Sequence, residues 1–315
     1  MRQRLLPLLL AFCLLLSACG PASQEAPPDG TLEIVATTYP VYLFASEVTR
    51  GAKDISVSLM IDQPVSCLHD YTLTVKDMKA LERADVILLS GAGLEDSMAD
   101  ALAVVADTPQ IDCSQGIALL EGGHDGHDHD HEGGVLPSGH THAEDPHIWL
   151  DPLRACQMLE TIAAALRTQD PRNAALYQTN AQLAAEQIRQ AYTVLQAQLA
   201  DLPCRDLITF HDGFSYFAQA FDLEILCAIE EEAGSEASAQ KVQGLVEEIE
   251  HHHIPAVFTE VNGADATAQI IHRECGVPIF SLDLMMSRQQ EQTPGVTAYL
   301  TLLQSNVNTL REAYA

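Results

Sequence analysis

Short runs of apolar and β-branched residues alternate with amphipathic stretches over two parts of the chain. Such runs are typical of buried strands, and strands that alternate with helices predict parallel sheets covered by helices. In the first part we predict strands at Leu32–Thr38, Ile55–Met60 and Val86–Ser90, and helices at Tyr42–Thr49, Thr74–Arg83 and Glu95–Val105. In the second part we predict strands at Asp206–Phe210, Leu223–Ala228, Ala256–Thr259 and Pro278–Ser281, and helices near 213–220, 238–252, 264–273 and 294–313. The pattern therefore predicts an α/β protein of two lobes, each with a mainly parallel sheet flanked by helices.

A single long backbone helix is predicted to join the two lobes. It begins at Asp170-Pro171, where aspartate suits the N-cap and proline the first helical position. Apolar residues then recur at helical spacing with no glycine or proline before Pro203, and at 1.5 Å per residue a helix of about 30 residues is about 45 Å long. This length favours a rigid connection along the back of both lobes. An ordinary amphipathic helix within one lobe is the alternative.

The first residues have the features of an export signal. Arg2 and Arg4 precede the apolar run Leu5–Leu16, which is too short to span a bilayer comfortably as a permanent helix. The run ends in Leu16-Ser17-Ala18-Cys19-Gly20, which resembles the lipobox of bacterial lipoproteins, in which the cysteine is acylated. An ordinary cleaved signal with an incidental cysteine is the alternative.

These features divide the chain into five segments and place the protein outside the cytoplasm. Acylation of Cys19 would hold the protein at a membrane, facing the periplasm or the outer surface. The segments are a lipoprotein signal peptide at 1–18, a flexible tether at 19–30, an N-terminal lobe at 31–151, a linker segment with the long helix at 152–203, and a C-terminal lobe at 204–315.

The composition excludes one class of partner and suggests another. The 315 residues include 16 Lys+Arg and 44 Asp+Glu, a formal net charge of −28, so phosphate is repelled and nucleic acid is excluded. Since 47% of the residues are hydrophobic, the chain has ample material to fold, in about two domains at this length. Its 13 histidines among so many carboxylates point to a divalent metal ion.

The cysteines leave the disulfide pattern open. An exported protein with six cysteines in its mature part can form up to three disulfides, in any of 15 pairings. No CxxC pair occurs, which argues against a cysteine-type zinc site. The six are Cys67, Cys113, Cys156, Cys204, Cys227 and Cys275.

The segment Glu121–Glu144 is rich in histidine, aspartate and glycine, so it cannot bury a core and is expected to form a mobile loop. It either collects metal ions weakly near a main site or is a solvated linker that binds them incidentally, and we favour collection. Its histidines are His124, His127, His129, His131, His140 and His142.

Among the other histidines, three are placed to reach the carboxyl edge of a sheet, where open α/β folds bind ligands. His69 follows the second predicted strand, His147 precedes the linker, and His211 directly follows the strand that ends at Phe210. Asp283 follows the last strand in the same way, whereas His272 and the run His251–His253 have an ordinary helical context. Three imidazoles and one carboxylate suit Zn²⁺ in tetrahedral geometry, since manganese would prefer more oxygen ligands.

These residues lie in motifs that resemble the metal-binding lipoproteins of bacterial ABC importers for zinc and manganese. The resemblance covers essentially the whole mature chain, and its most specific motif surrounds His147. The motifs are Val35-Ala-Thr-Thr-Tyr-Pro40, His69-Asp-Tyr71 with Thr74-Val-Lys-Asp-Met-Lys-Ala-Leu81, Asp145-Pro-His-Ile-Trp-Leu-Asp-Pro152, Phe210-His-Asp-Gly-Phe214, Phe258-Thr-Glu260 and Leu282-Asp-Leu284.

The resemblance implies a ligand set and a function. His69, His147, His211 and Asp283 match the metal ligands of the family, and histidine at the third position, together with a His-rich loop, matches its zinc branch. It implies two lobes that capture Zn²⁺ in the cleft between them and deliver it to the membrane permease of an ABC importer, and we expect a monomer. Glu260 matches an acidic position near the site, and we interpret it as orienting His211.

The chain departs from the family in one place and leaves two other functions to consider. Leu68 precedes His69 where the family usually has proline, and Cys67 lies two positions before His69. A zinc-dependent hydrolase also uses three histidines, but His140-Thr-His142-Ala-Glu-Asp145 lacks the last residues of the HxHxDH pattern, and neither HExxH nor GxSxG occurs. An additional adhesion role is not demanded by any residue.

Overall fold

A computed structural model describes residues 30–65, 68, 71–122, 144–230, 238–263, 265–288 and 293–315.

The first lobe is a four-stranded parallel sheet with helices on its faces. The strand order is β2-β1-β3-β4, and every neighbouring pair is parallel. The strands are β1 Leu32–Ala36, β2 Ile55–Leu59, β3 Val86–Leu89 and β4 Gln110–Asp112, and the helices are α1 Tyr39–Val48, α2 Val75–Arg83 and α3 Ala99–Val104.

Two helices connect the lobes. A 3-10 turn at Ile148–Leu150 leads into α4, Pro152–Gln169, and a second at Pro171–Asn173 leads into α5, Ala174–Leu199. The helix α5 packs against α4 and α1, and also against the last helix of the chain. Its side chains bond to both lobes, because Asn180 donates to Val48 O of the first lobe and Gln196 donates to Ala220 O of the second.

The second lobe repeats the topology of the first. Its strand order is β6-β5-β7-β8, again parallel throughout. The strands are β5 Asp206–His211, β6 Glu224–Glu230, β7 Val257–Glu260 and β8 Ile279–Leu282, and the helices are α6 Ser215–Phe221, α7 Ala239–His252, α8 Ala266–Cys275 and α9 Val296–Ala313. The predicted fold class is therefore confirmed, with two parallel-sheet lobes and a long helix between them.

The structure differs from the predicted elements mainly at four places. The long helix has 26 residues, about 39 Å at 1.5 Å per residue. It begins later than predicted because Pro171–Asn173 forms a 3-10 turn. The carboxylate of Asp170 does not cap the helix but accepts from the side chains of Asn173 and Tyr177. The predicted helix at 95–105 is a 3-10 turn, Asp96–Met98, followed by the short α3. The strand β4 and the helix α4 were not predicted at all.

Local sequence signals explain where several helices begin and end. Thr74 and Asp77 form a capping box at the start of α2, with reciprocal bonds between each side chain and the other's backbone N–H. Asp151 caps α4 by accepting from Leu153 N at 2.7 Å, and Pro152 occupies the first helical position. The helix α8 ends at Gly276 with a φ of +74°, a left-handed conformation that glycine adopts without strain.

One continuous hydrophobic core runs through both lobes. It includes Phe44 of α1, Ile188 of α5 and Tyr299 of α9, all fully buried. A separate, smaller core lies in the second lobe, where α7 and α8 pack together, and it contains Ile208, Phe210, Ile229, Val242, Leu245, Ile249, Ile254, Val257, Ala268, Ile271 and Val277. We call it the outer core. The strand β5 separates the two, since Leu207 belongs to the continuous core while Ile208 and Phe210 belong to the outer core.

The chain divides into a unit of residues Met1–Thr31 and a unit of residues Leu32–Ala315. Within the described ranges, no helix is both long enough and apolar enough to span a membrane. The five cysteines in these ranges, Cys113, Cys156, Cys204, Cys227 and Cys275, form no disulfide with one another. The predicted signal peptide, the lipidation site Cys19 and the sixth cysteine, Cys67, lie outside the described residues.

Candidate metal centre

The strand order places a crevice at the same point of each sheet. In each sheet the second strand lies on one side of the first strand and the third strand lies on the other side. Ligands of open α/β folds bind at this point, outside the carboxyl ends of the first and third strands. In the second lobe these ends carry His211, the last residue of β5, and Glu260, the last residue of β7. Thr209 pairs with Phe258 in the sheet. His211 and Glu260, each two residues further on, therefore end neighbouring strands at the same level, and both are buried.

His147 is held in a defined orientation by Asp145. Both side chains are buried, with 1% and 3% of their surfaces exposed. One oxygen, Asp145 Oδ1, lies 2.8 Å from the backbone N of His147 and 2.8 Å from its ring Nδ1. Because a carboxylate is an acceptor, it selects the tautomer with the proton on Nδ1 and leaves the lone pair on Nε2. An imidazole in this state is prepared to bind a metal ion through Nε2.

The rings of His147 and His211 meet edge to face. Their centroids are 5.2 Å apart and their planes are inclined by 85°. Gly213 lies against both rings, since a Cβ atom at this position would be 2.8 Å from His211 Cδ2 and 3.2 Å from His147 Cε1. The absence of a side chain at residue 213 therefore allows the two imidazoles to approach each other.

Trp149 connects His147 to the segment that contains Asp283. Its ring centroid lies 5.4 Å from that of His147, and its Nε1–H donates to the carbonyl of Leu284 at 2.9 Å. The hydroxyl of Tyr299 donates to Trp149 O at 2.8 Å. A fully buried tryptophan thus links the histidine on one side of the cleft to the backbone next to the predicted carboxylate ligand on the other.

Asp283 directly follows β8 and is half-buried. Its backbone is held by Asn306 of α9, whose Oδ1 accepts from Asp283 N at 2.8 Å and whose Nδ2 donates to Asp283 O at 2.9 Å. Its side-chain Oδ1 accepts from Met285 N at 2.7 Å. Met285 has a φ of +60°, so the backbone after Asp283 turns sharply. Both the backbone and the carboxylate of Asp283 are therefore fixed by hydrogen bonds.

The two lobes also contact each other next to this segment. The loop after β8 meets the loop after β2, where the hydroxyl of Ser287 accepts from Val65 N and donates to Val65 O, both at 2.9 Å. The next residue, Arg288, places its Nε 3.1 Å from Asp62 Oδ1, with each side chain 37% exposed. On the other flank, Tyr216 OH donates to Asp145 O at 2.9 Å. Both sides of the cleft are bridged by hydrogen bonds.

The first lobe has a buried carboxylate at its own crevice. Glu95 accepts from the hydroxyl of Thr37 at 2.6 Å and from the backbone N–H groups of Ser90 and Gly91 at 2.8 and 3.0 Å. Burial raises the pKa of Glu95, the hydrogen bonds oppose this effect, and the nearby charge of Asp112 adds to it. Glu95 was not predicted as a buried group, because Thr37 lies 58 residues away in the sequence and the other two donors are backbone N–H groups, which constrain no residue type.

Part of the predicted site lies outside the described residues. His69 and the loop histidines His124, His127, His129, His131, His140 and His142 are in this category. The first and last residues of the predicted loop segment, Glu121 and Glu144, form an isolated antiparallel bridge directly before Asp145. Within the described ranges, no three His, Cys, Asp or Glu side chains form a group that could hold a metal ion. The structure brings His147 and His211 together and links Asp283 to them indirectly, through Leu284 and Trp149.

Comparison with known proteins identifies relatives over nearly the whole length. A family model described as zinc-uptake complex component A, periplasmic (ZnuA), matches residues 34–313. The zinc-binding lipoprotein AdcA of Streptococcus pneumoniae is 27% identical over 97% of this chain, and the chain spans 60% of that relative's length. The high-affinity zinc uptake system protein ZnuA of Bacillus subtilis is 26% identical, with 96% of this chain and 95% of the relative covered.

Solved structures agree with this likeness. A crystal structure of ZnuA has a TM-score of 0.75 at 26% identity and covers 90% of this chain and 100% of its own. A zinc-bound deletion variant of ZnuA has a TM-score of 0.73 at 25% identity and covers 90% of this chain and 98% of its own.

Proposed function

The chain belongs to the ZnuA family of periplasmic zinc-uptake components, and from this premise we propose that it captures Zn²⁺ outside the cytoplasm and delivers it to the permease of an ABC importer. The observation that carries the proposal is the pair of buried imidazoles, His147 and His211, whose rings meet edge to face at the carboxyl end of β5. The neighbouring carboxylate of Asp145 prepares one of them for metal binding. The relatives whose names refer to zinc uptake support the choice of cargo.

We propose that Zn²⁺ is bound by His69, His147, His211 and Asp283. Three neutral imidazoles and one carboxylate satisfy a tetrahedral zinc ion and leave no position open for water. A closed site suits a carrier, whereas a zinc hydrolase keeps a position for water, and the family of the chain consists of carriers. Glu260, level with His211 on the neighbouring strand, is proposed to orient the His211 ring.

Metal analysis of single variants tests this ligand set. Each of His69, His147, His211 and Asp283 is changed to alanine, and zinc is measured by competition with a chelator and by elemental analysis after dialysis. His252→Ala is the matched control, because this histidine lies on the exposed end of α7 beside Glu248. We expect one tight zinc ion in the wild type and in the control, and a large loss of affinity in each ligand variant. Full affinity in all four variants would refute the proposal.

The pH dependence of binding provides a second test. Histidine ligands must be neutral, so zinc affinity is expected to fall as the pH decreases through the histidine range. Affinity that stays constant between about pH 8 and about pH 5 contradicts histidine ligation.

The location is proposed from the first residues. A signal peptide at 1–18 and acylation of Cys19 would anchor a monomeric protein to the membrane, with residues 19–30 as a tether, close to the permease that receives the metal. In cells, the wild type is expected in the membrane fraction and Cys19→Ser in the soluble extracytoplasmic fraction. Equal distribution of the two proteins would exclude lipid anchoring.

The His-rich segment is proposed to collect zinc weakly beside the main site. Its first and last residues, Glu121 and Glu144, pair immediately before Asp145, the residue that contacts the His147 ring. Deletion of Gly122–His142 is expected to leave one tight zinc ion per protein and to remove the additional weak equivalents in a titration. Loss of tight binding would show that the main site is elsewhere.

A further inference from the structure

Asn306 is a buried polar residue in the middle of α9, with 2% of its surface exposed. Asparagine is unfavourable inside a helix, and its buried amide must be satisfied by hydrogen bonds. Its Oδ1 and Nδ2 bond to the backbone N and O of one residue, Asp283. The register of β7 with β8 ends at Glu260 and Leu282, so this amide continues the hydrogen bonding of the backbone one residue beyond the sheet.

The helix α9 is itself fixed to the first lobe and to the linker. The carboxylate of Glu47 in α1 accepts from Val296 N, the first residue of α9, at 3.1 Å. The ring of Tyr299 packs edge-on against Phe44 with a centroid distance of 5.2 Å, and its hydroxyl donates to Trp149 O. The same helix therefore holds the Trp149 backbone, next to His147, and the Asp283 backbone.

We propose that Asn306 is a positioning residue for metal binding, which sets the place of the Asp283 carboxylate relative to the histidines on the other side of the cleft. The inference rests on the proposed function, in which Asp283 is a zinc ligand. A second restraint on Asp283 is local, since its Oδ1 accepts from Met285 N two residues further on. Asn306 instead ties Asp283 to a helix anchored in the other lobe, so it controls a distance between ligands that come from different parts of the fold.

A double-mutant cycle on zinc affinity separates this role from a general structural one. Asn306→Ala, Asp283→Ala and the double variant are compared with the wild type by chelator competition. Asn306→Ala is expected to weaken zinc binding about tenfold in the wild-type background, the lower end of what partners of metal ligands usually contribute, and to have no further effect when Asp283 is already alanine. Asn308→Ala is the matched control, because this asparagine lies on the same helix, is exposed and bonds only to Gln304 among the described side chains. The control is expected to bind zinc like the wild type.

A second variant guards against loss of folding. Asn306→Asp keeps the size of the side chain and an acceptor for Asp283 N, but it cannot donate to Asp283 O. It is expected to weaken zinc binding severalfold with an unchanged circular dichroism spectrum and, again, only when Asp283 is present.

The outcomes are distinct. Wild-type affinity in Asn306→Ala and Asn306→Asp, or an equal loss with and without the Asp283 side chain, would overturn the positioning role and leave the proposed function intact. If Asp283→Ala alone binds zinc normally, the ligand assignment of Asp283 fails and this inference fails with it, while the histidine variants still test zinc binding by the protein.

Discussion

The bond between Asp145 and His147 allows a quantitative prediction. Asp145→Asn keeps the shape of the side chain and removes its charge. A hydrogen bond to a charged group contributes about 1.5–3 kcal/mol and a neutral one about 0.5–1.5 kcal/mol, so the change costs His147 about 1–1.5 kcal/mol of stabilisation in its metal-binding state. That energy corresponds to about a tenfold loss of zinc affinity, within the range of about 10–100-fold that partners of ligating histidines usually contribute.

The burial of the pair justifies the use of these values without a large correction for solvent. Both side chains are almost fully buried, with Asp145 at 3% and His147 at 1% exposed, and the bond lengths of 2.8 Å are those of charge-assisted hydrogen bonds. Asp145→Ala also leaves the backbone N–H of His147 without this acceptor, so its loss of affinity is expected to be larger, about 100-fold.

Competition with a chromophoric chelator near neutral pH measures the affinity. The fluorescence of Trp149 provides an independent signal, because it is the single tryptophan of the chain and its ring lies 5.4 Å from that of His147. Asp170→Asn is the matched control, a carboxylate that is similarly buried at 4% exposed but lies in the linker. It is expected to reduce the unfolding free energy and leave zinc affinity unchanged. If Asp145→Asn binds zinc as tightly as the wild type, the orienting role of Asp145 is refuted.

Three further predictions concern other contacts. Arg288→Ala breaks a half-exposed ion pair with Asp62 across the cleft, and we expect zinc release in stopped-flow chelation to become up to about fivefold faster. Lys76→Ala is the control, because it removes a charge 4.0 Å from the same carboxylate but within one lobe. It should leave the rate of zinc release unchanged. Burial raises the folded-state pKa of Glu95 above the ordinary value of 4.5. Its contribution to stability is therefore complete below about pH 4.5 and is lost as the pH rises through the raised pKa. In urea titrations over this pH range, the unfolding free energy of the wild type should fall with rising pH, and that of Glu95→Gln should not. Glu47→Ala removes the acceptor for the first N–H of α9 and should lower the unfolding free energy by about 1–2 kcal/mol in urea titrations, whereas an unchanged midpoint would show that the cap contributes nothing.

Most strands were predictable from the sequence because helices cover both faces of each sheet. A continuous apolar run such as Val86–Leu89 is typical of a strand that is buried on both faces. The helix α4 was missed although it begins with Asp151-Pro152, the same pair of residue types that predicts a helix at Asp170-Pro171. The strand β4 has three residues, Gln110–Asp112, of which only Ile111 is apolar, so its pairing with β3 depends on tertiary context.

The site was predictable only in part, for a physical reason. His211 and Asp283 could be placed at the carboxyl edge of a sheet because each lies at the end of a recognisable strand. The contacts that orient the proposed ligands leave no such pattern. Asn306 is 23 residues from Asp283 and bonds to its backbone. Because every residue type has these backbone atoms, the bond leaves no signature in the sequence at position 283. The bond from Asp145 to His147 is local in sequence, but it depends on a turn that is buried together with Trp149.

The outer core has a consequence for how the molecule loses structure. Because α7 and α8 pack on a core of their own, they can open in a sub-global fluctuation while the continuous core stays intact. On β5, Ile208 and Phe210 face the outer core, whereas Leu207 belongs to the continuous core. Because successive side chains point to opposite faces of a strand, His211 lies on the same face of β5 as Leu207. Amide hydrogen exchange should therefore be faster in α7 and α8 than in α4 and α5. The histidine pair should persist after this outer layer has begun to exchange, so loss of the layer and loss of the metal are expected to be separate events.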